Sequence, residues 1–275
     1  MKLGLGTVQF GQAYGVSNTK GQVPKADVTA ILHRAAQAGL KLLDTAANYG
    51  EAETVLTGFD LAPFRIVTKT MNLKNGLDAV IARARQSAAL LKADTLLVHA
   101  ASDLEDRRLW PALQDLKAEG VFRRIGISVY AADKPAELAA RYKPDVMQLP
   151  FSILDQRLLQ DGTLGRLKQL GVEIHARSLF LQGLLLMATL PAHLQSVELE
   201  KARARIAAAG TTPLAAALGF VLSRPEVDAG LVGVTSLAEL DEILSAAAQP
   251  LPNGDWAACA VSDERILTPS LWPKP

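Results

Sequence analysis

The stretch AAQAGLKLLDTAANYGEAE (Ala35–Glu53) contains one complete structural joint. Its first residues close a segment of helical period, Ala26–Ala38, and Gly39 follows at the place where a left-handed residue ends a helix. An apolar run, KLLDTAA, comes next. It breaks off in a carboxylate, Asp44, with a phenol, Tyr49, five positions on. A short apolar run bounded by turn residues reads as a strand buried on both faces. Helix, stop, buried strand and polar loop together make one βα repeat.

The same joint recurs on either side. Gly120 and Gly171 also sit just past a helical stretch and just before an apolar run. The strand-like runs are KLGLGTVQ, KLLDTAA, RIVTKT, TLLVHAA, RRIGISVY, DVMQLPF, VEIHARSLF and AGLVGVTS. Between them lie amphipathic or Ala/Leu-rich segments: Leu77–Leu91, Trp110–Glu119, Pro135–Arg141, Leu158–Leu170 and Pro213–Ser223, with Leu237–Ala248 after the last run. Thr212-Pro213 reads as an N-cap followed by proline at the first helical position. Eight such units in 275 residues predict an α/β protein with one (β/α)8 TIM barrel domain over residues 1–275. An open doubly wound sheet is the alternative, because strand count alone does not establish closure. Two segments leave the repeat. Leu186–Gly210 carries an extra helix, Leu194–Ala209, after the seventh strand. The tail from Asn253, with Trp256, Pro269, Trp272, Pro273 and Pro275, forms a C-terminal cap.

Composition narrows the function classes. Apolar residues make up 49% of the chain and the formal net charge is +1, so no basic excess exists for nucleic acid or an anionic membrane. Cys259 is the only cysteine, which excludes an intrachain disulfide and suits a reducing compartment. No run reaches the ~18 apolar residues of a membrane span. MKLGLGTVQFG has glycines and a glutamine where a signal peptide needs an unbroken apolar segment. A cytoplasmic monomer is expected. HAASD and the isolated His33, His175 and His193 have no metal-ligand spacing, so no metal is expected.

In a barrel, function sits at the C-terminal ends of strands. Strand two ends in Asp44 with Tyr49 in its loop, strand three in Lys69, and strand four in His99. Each has a structural reading of its own: Asp44 as a turn cap, Lys69 leaving the core for solvent, His99 as packing. Their convergence on one rim favours chemistry. A phenol with a pKa near ~10 is a poor acid until its phenolate is stabilised. A lysine ammonium provides that stabilisation, a carboxylate keeps the lysine charged and aimed, and a neutral histidine hydrogen-bonds the substrate oxygen or relays a proton.

These residues, spaced as DTAANYG, VTK and LVH, resemble the Asp/Tyr/Lys/His tetrad of the aldo-keto reductases. The resemblance runs nearly the whole chain. GLGTVQFG is similar to that family's first-strand GLGT, GISVY to its GxSN segment, MQLPF to its NQxxY segment and LVGVTSLAELDEIL to its last strand and helix. It implies reversible hydride transfer between a nicotinamide cofactor and a carbonyl or alcohol, with catalytic Asp44, Tyr49, Lys69 and His99. It also implies cofactor contacts at Gly6 and Thr7, with Ser128 and Gln148 on the nicotinamide carboxamide. Val129 replaces the asparagine that normally follows the serine. Arg177 stands where the family often stacks an aromatic ring, and a cation there favours the reduced cofactor. Ser178 and the Leu179–Gly183 loop, with Gln182 and Gly183 nearest, approach the pyrophosphate. Gly233, Val234, Thr235, Ser236, Glu239, Glu242 and Ile243 match the segment that holds the 2′-phosphate of NADP, and none is basic. The family implies NADP(H). The unrecognisable clamp, with Glu239 in place of an arginine, leaves open NAD(H), weak binding of both dinucleotides, or a clamp supplied from elsewhere.

The substrate reads as a small carbonyl compound, with Tyr14 and the small Ala100-Ala101-Ser102 suiting a sugar or other polar aldehyde or ketone. Other readings stay open at this point. They are a barrel enzyme of another class, either an isomerase or epimerase retaining its nicotinamide or a Schiff-base lyase using Lys69, and a degenerate nucleotide-sensing module.

Overall fold

The computed structural model describes residues 2–272; Pro273 and Pro275 of the expected cap lie outside the described residues. Its strands are β1 (Leu3–Gly6), β2 (Leu42–Asp44), β3 (Arg65–Lys69), β4 (Thr95–Val98), β5 (Arg124–Ser128), β6 (Val146–Pro150), β7 (Glu173–Arg177) and β8 (Ala229–Gly233). They pair in sequence order, all parallel, and β1 closes on β8 with Leu3 opposite Gly230 and Gly6 opposite Gly233. The sheet is a closed barrel, not an open one.

The surrounding helices are α1 (Lys25–Gln37), α2 (Ala52–Leu56), α3 (Leu77–Leu91), α4 (Leu109–Ala118), α5 (Pro135–Tyr142), α6 (Thr163–Gln169), α7 (Val197–Ala208), α8 (Pro213–Leu222) and α9 (Leu237–Ala247). Gly39, Gly120 and Gly171 all have positive φ, as their positions past a helix require. Thr212 caps α8 by accepting from the Ala215 N–H, with Pro213 in the first turn. One expected helix is broken. Leu158–Leu170 divides into a single turn, Arg157–Gln160, and α6, because Gly162 adopts φ +76° and Asp161 accepts from the Thr163 N–H at 2.8 Å. Local side-chain-to-backbone bonding outcompetes the helical ladder there. The extra helix is present as α7, three residues shorter at its start because Ser196 caps it.

Side-chain alternation along each strand builds the site. Leu42, Val67, Leu97, Val146, Ala229 and Leu231 form a small core inside the barrel, separate from the larger one beneath the helices. Side chains two residues apart share a face. Two residues beyond Leu42, Val67, Leu97, Val146 and Leu231 stand Asp44, Lys69, His99, Gln148 and Gly233. The functional rim is therefore the next layer of the same packed stack.

Candidate active site

Lys69 is the centre of the rim. Its Nζ donates to Asp44 Oδ1 at 2.7 Å and Oδ2 at 2.6 Å, to the Thr45 carbonyl at 2.9 Å, and lies 3.2 Å from the Tyr49 hydroxyl. The residue is 1% exposed, and a cation this buried requires such partners. Asp44 is itself fixed from two further elements. Gln148 Nε2 on β6 donates to Oδ1 at 2.7 Å, and Thr7 donates its N–H and hydroxyl to the Asp44 carbonyl at 2.9 and 3.0 Å.

The Tyr49 loop is held on two sides. Gly11 lies so close that a Cβ there would come within 1.9 Å of the Tyr49 carbonyl oxygen, which only glycine allows. Behind the loop, the buried carboxylate of Glu53 accepts from Thr68 Oγ1 at 2.5 Å and Ser87 Oγ at 2.9 Å, and pairs with Arg83. Thr68 adjoins Lys69, so one carboxylate ties the loop carrying Tyr49 to the strand carrying Lys69. His99 meets Tyr49 edge-on, with ring centroids 5.7 Å apart, and its Nδ1 lies 3.5 Å from Asn48 Nδ2. With the amide directed at Nδ1, the ring proton is assigned to Nε2.

Protonation follows from these surroundings. Burial alone lowers the Lys69 pKa, but Asp44 overcomes it and the net shift is upward, so the ammonium persists. Burial lifts the Tyr49 phenol above its ordinary value while Lys69 pulls it back. Burial, then the charge of Lys69, lowers His99 to about 4. The rim at neutral pH is thus a protonated phenol, an ammonium–carboxylate pair and a neutral imidazole.

Opposite stands Arg177. Its guanidinium lies 4.4 Å over the Tyr130 ring, donates to the Val129 carbonyl at 3.1 Å and approaches Ser178 Oγ at 3.2 Å. Arg177, Tyr49, His99 and Asp44 line a cleft of about 660 Å³ together with Gly6, Ser128, Gln148, Ser178, Leu179, Gln182, Gly183, Gly233, Thr235, Glu239 and Glu242. Thr7, Val234 and Ser236 give no surface to it. Thr7 and Val234 are buried, the Thr7 hydroxyl serves Asp44, and Ser236 Oγ caps α9 by accepting from the Glu239 N–H. Several further lining residues, including Gln9, Ser17, Asn48 and Tyr130, carry no chemical signal of their own in the sequence. Asn48 and Tyr130 fall inside DTAANYG and GISVY, so their signal was position within a motif. Ser17 is recognisable only from its contact with Gln182 O at 3.2 Å across the cleft.

The cleft's chemistry fits a nicotinamide dinucleotide. Gln9 Oε1 is buried without a hydrogen-bond partner among the described residues, beside Gly233, where a Cβ would come within 2.6 Å of it. The Gln182 and Gly183 N–H groups enter no hydrogen bond among the described residues. At β8 and α9, where the resemblance places the 2′-phosphate of NADP, the lining side chains bond to one another. There the Thr235 N–H and hydroxyl already donate to the Glu239 carboxylate at 2.7 and 2.5 Å. The cations on the cleft wall are Arg177 and Lys20, on other segments. Among the described residues no group of three or more His, Cys, Asp or Glu side chains is arranged to hold a metal.

Known proteins are similar to this chain in sequence and in fold. The chain is 30% identical to the glyoxal reductase of Bacillus subtilis over 171 residues, 58% of this chain and 60% of that protein. It therefore spans less than two thirds of that relative's length. It is 28% identical to the L-galactose dehydrogenase of Arabidopsis thaliana over 273 residues, covering 89% of this chain and 85% of that one. In fold it is similar to an aldo-keto reductase of Bacillus halodurans solved in its holo form, with a TM-score of 0.76 at 20% identity, over 98% of this chain and 93% of the other. The model of the aldo/keto reductase family matches residues 2–264, and the chain belongs to that family.

Proposed function

We propose that this protein is a nicotinamide-dependent carbonyl reductase, acting reversibly on the corresponding alcohol, with NAD(H) favoured over NADP(H). The observation that carries the reading is the bridge Lys69 makes between the Asp44 carboxylate and the Tyr49 hydroxyl. A bound reduced nicotinamide supplies the hydride. The chain supplies the rest. His99 Nε2–H orients the carbonyl oxygen, and Tyr49 releases its proton to that oxygen as charge develops. Lys69 stabilises the phenolate that remains, and Asp44 keeps Lys69 charged and aimed. Gly6, Ser128, Gln148, Arg177, Ser178, Leu179, Gln182, Gly183, Gly233, Thr235, Glu239 and Glu242 are assigned to the cofactor. Thr7, Val234 and Ser236 support that site from behind. The self-bonded Glu239 carboxylate supports the preference for NAD(H), since it occupies donors a phosphate needs and adds like charge.

The substrate class we favour is a small polar aldehyde or ketone, sugars included. The hydroxyl and amide groups of Tyr14, Asn48 and Tyr130 at the mouth support it, as do the names of the glyoxal reductase and L-galactose dehydrogenase relatives. A soluble, monomeric, cytoplasmic protein completes the reading. The compartment and solubility rest on the lone, buried Cys259 and the lack, among the described residues, of any single helix long and apolar enough to cross a membrane; the monomer is an expectation from the barrel's size alone. A Schiff-base role for Lys69 is disfavoured, because a nucleophilic amine must be neutral and this one is locked as an ammonium by Asp44.

Titration with NADH and NADPH tests the reading, alongside Tyr49→Phe. Wild type binds NADH at least about tenfold more tightly than NADPH, about 1.4 kcal/mol. Tyr49→Phe retains NADH affinity and loses at least about a hundredfold in turnover. Retained turnover in the variant removes Tyr49 from its role, and no binding of either dinucleotide ends the reductase reading.

A further inference from the structure

Arg177 is a held cation with no carboxylate partner among the described residues. The similarly half-buried Arg65, Arg83, Arg124 and Arg157 each meet a carboxylate. Arg177 has none within ion-pair distance among the described residues; it rests on the Tyr130 ring, the Val129 carbonyl and Ser178 Oγ. Those contacts hold the guanidinium in one pose and use two of its five N–H groups, leaving the others as donors.

The charges around it do not neutralise it. Asp44 is matched by Lys69. Glu239 and Glu242 belong to α9, after β8, and the Glu239 carboxylate is bonded to Thr235. Among the described side chains, then, no carboxylate offsets Arg177 in the part of the cleft it shares with Tyr49 and His99, and its charge acts to lower the proton affinity of both reacting groups. A partly desolvated guanidinium with spare donors is stabilised by a planar anion, which it meets with two parallel hydrogen bonds.

We propose that the substrate carries a carboxylate as well as its carbonyl, and that Arg177 receives that carboxylate while the carbonyl oxygen lies between Tyr49 and His99. This deepens, and rests on, the reductase reading; it narrows the polar carbonyl to an oxo acid or acidic sugar. The carboxylate is a spectator. Hydride adds to the carbonyl carbon, the C=O π pair takes the Tyr49 proton, and an hydroxy acid leaves. Arg177 is then a specificity-determining residue in addition to its contact with the cofactor.

The test compares 4-carboxybenzaldehyde with 4-nitrobenzaldehyde, of like shape and both electron-poor, in NADH-driven turnover by wild type, Arg177→Met and Arg177→Lys. The readout is the ratio of the two kcat/KM values, in which any loss common to both aldehydes cancels. Wild type favours the carboxylate, Arg177→Met lowers the ratio at least about tenfold, mainly through KM, and Arg177→Lys falls between. An unchanged ratio in Arg177→Met overturns the proposal. Calorimetric binding of benzoate against benzamide reads the same site without turnover. Wild type prefers benzoate and Arg177→Met does not; equal binding of the two by wild type overturns the proposal as well. Should NADH fail to bind while the Arg177-dependent benzoate preference persists, the reductase reading falls and the anion site stands.

Discussion

Tyr49 and Lys69 come from different elements, yet their hydroxyl and ammonium stand 3.2 Å apart because buried partners leave neither any choice. Asp44 aims the lysine from below, and Glu53 holds the tyrosine loop from behind. The first of these was legible in the sequence, since a carboxylate ending one core strand and a lysine ending the next must share a rim. Glu53 was not, because its partners Thr68, Arg83 and Ser87 meet it only after β3 and α3 dock. His99 carries the prediction at this scale. Its folded pKa of about 4 lies below the ordinary value of ~6.5. The unfolded chain binds a proton between those values and the folded protein does not, so His99 contributes stability above about pH 6.5 that is lost as pH falls through about 4. An NMR titration of the imidazole should give a midpoint near 4, and kcat should show no His99 inflection between about pH 5 and 8. A midpoint near 6.5 would mean that the cleft does not desolvate the ring.

α7 is the element that the repeat does not require. The helical period and the length of the β7–β8 connection both signalled it in the sequence, but its task was hidden, because the contacts that define it are to backbone. Arg203 reaches from α7 to the carbonyls of Leu184, Leu185 and Met187, at 2.7, 3.2 and 2.8 Å. Those residues directly follow Ser178–Gly183, where Ser178, Leu181, Gln182 and Gly183 all have positive φ. Three of the four bear side chains that resist this conformation, so the loop holds its shape only if its neighbours over-determine it. Ser17 fixes one side by bonding Gln182 O, and Arg203 fixes the other. Arg203→Met removes three charge-assisted bonds and should destabilise the fold by about 1–3 kcal/mol. It should also weaken NADH binding several-fold through faster dissociation, measurable by stopped-flow fluorescence. Unchanged dissociation would separate α7 from the cofactor site and leave it a packing element.

At the scale of the whole molecule, the barrel interior is a stack of three layers, and the sequence displayed two of them. Apolar runs announced the middle layer, and their polar last residues announced the rim. Closure itself needed the β1–β8 pairing, which no local pattern encodes. The third layer, at the opposite mouth, was read only as strand starts. Arg65 begins β3, Arg124 begins β5 and Glu173 begins β7, and they meet across the barrel, with Arg124 Nη1 2.7 Å from Glu173 Oε2 and Arg65 also paired to that carboxylate. His175, wholly buried one layer up, lies 2.8 Å from Glu173 Oε1 through Nε2. Charges that look like ordinary strand flanks in sequence thus become one network joining three strands. Burial acts to raise the Glu173 pKa, but the bonds from His175 and Arg65 outweigh it and hold the carboxyl at about 2. With the folded value below the unfolded one, near ~4.3, the network's stability is fully present above that value and is lost as pH falls through about 2. Glu173→Gln should therefore lower Tm at pH 7 and lower it much less at pH 2.5, where wild type has lost part of the same contribution. Tm measured for both proteins across that range decides it: a gap that stays constant with pH would mean that the carboxylate's charge does not bind the three strands together, and that Glu173 contributes through its shape alone.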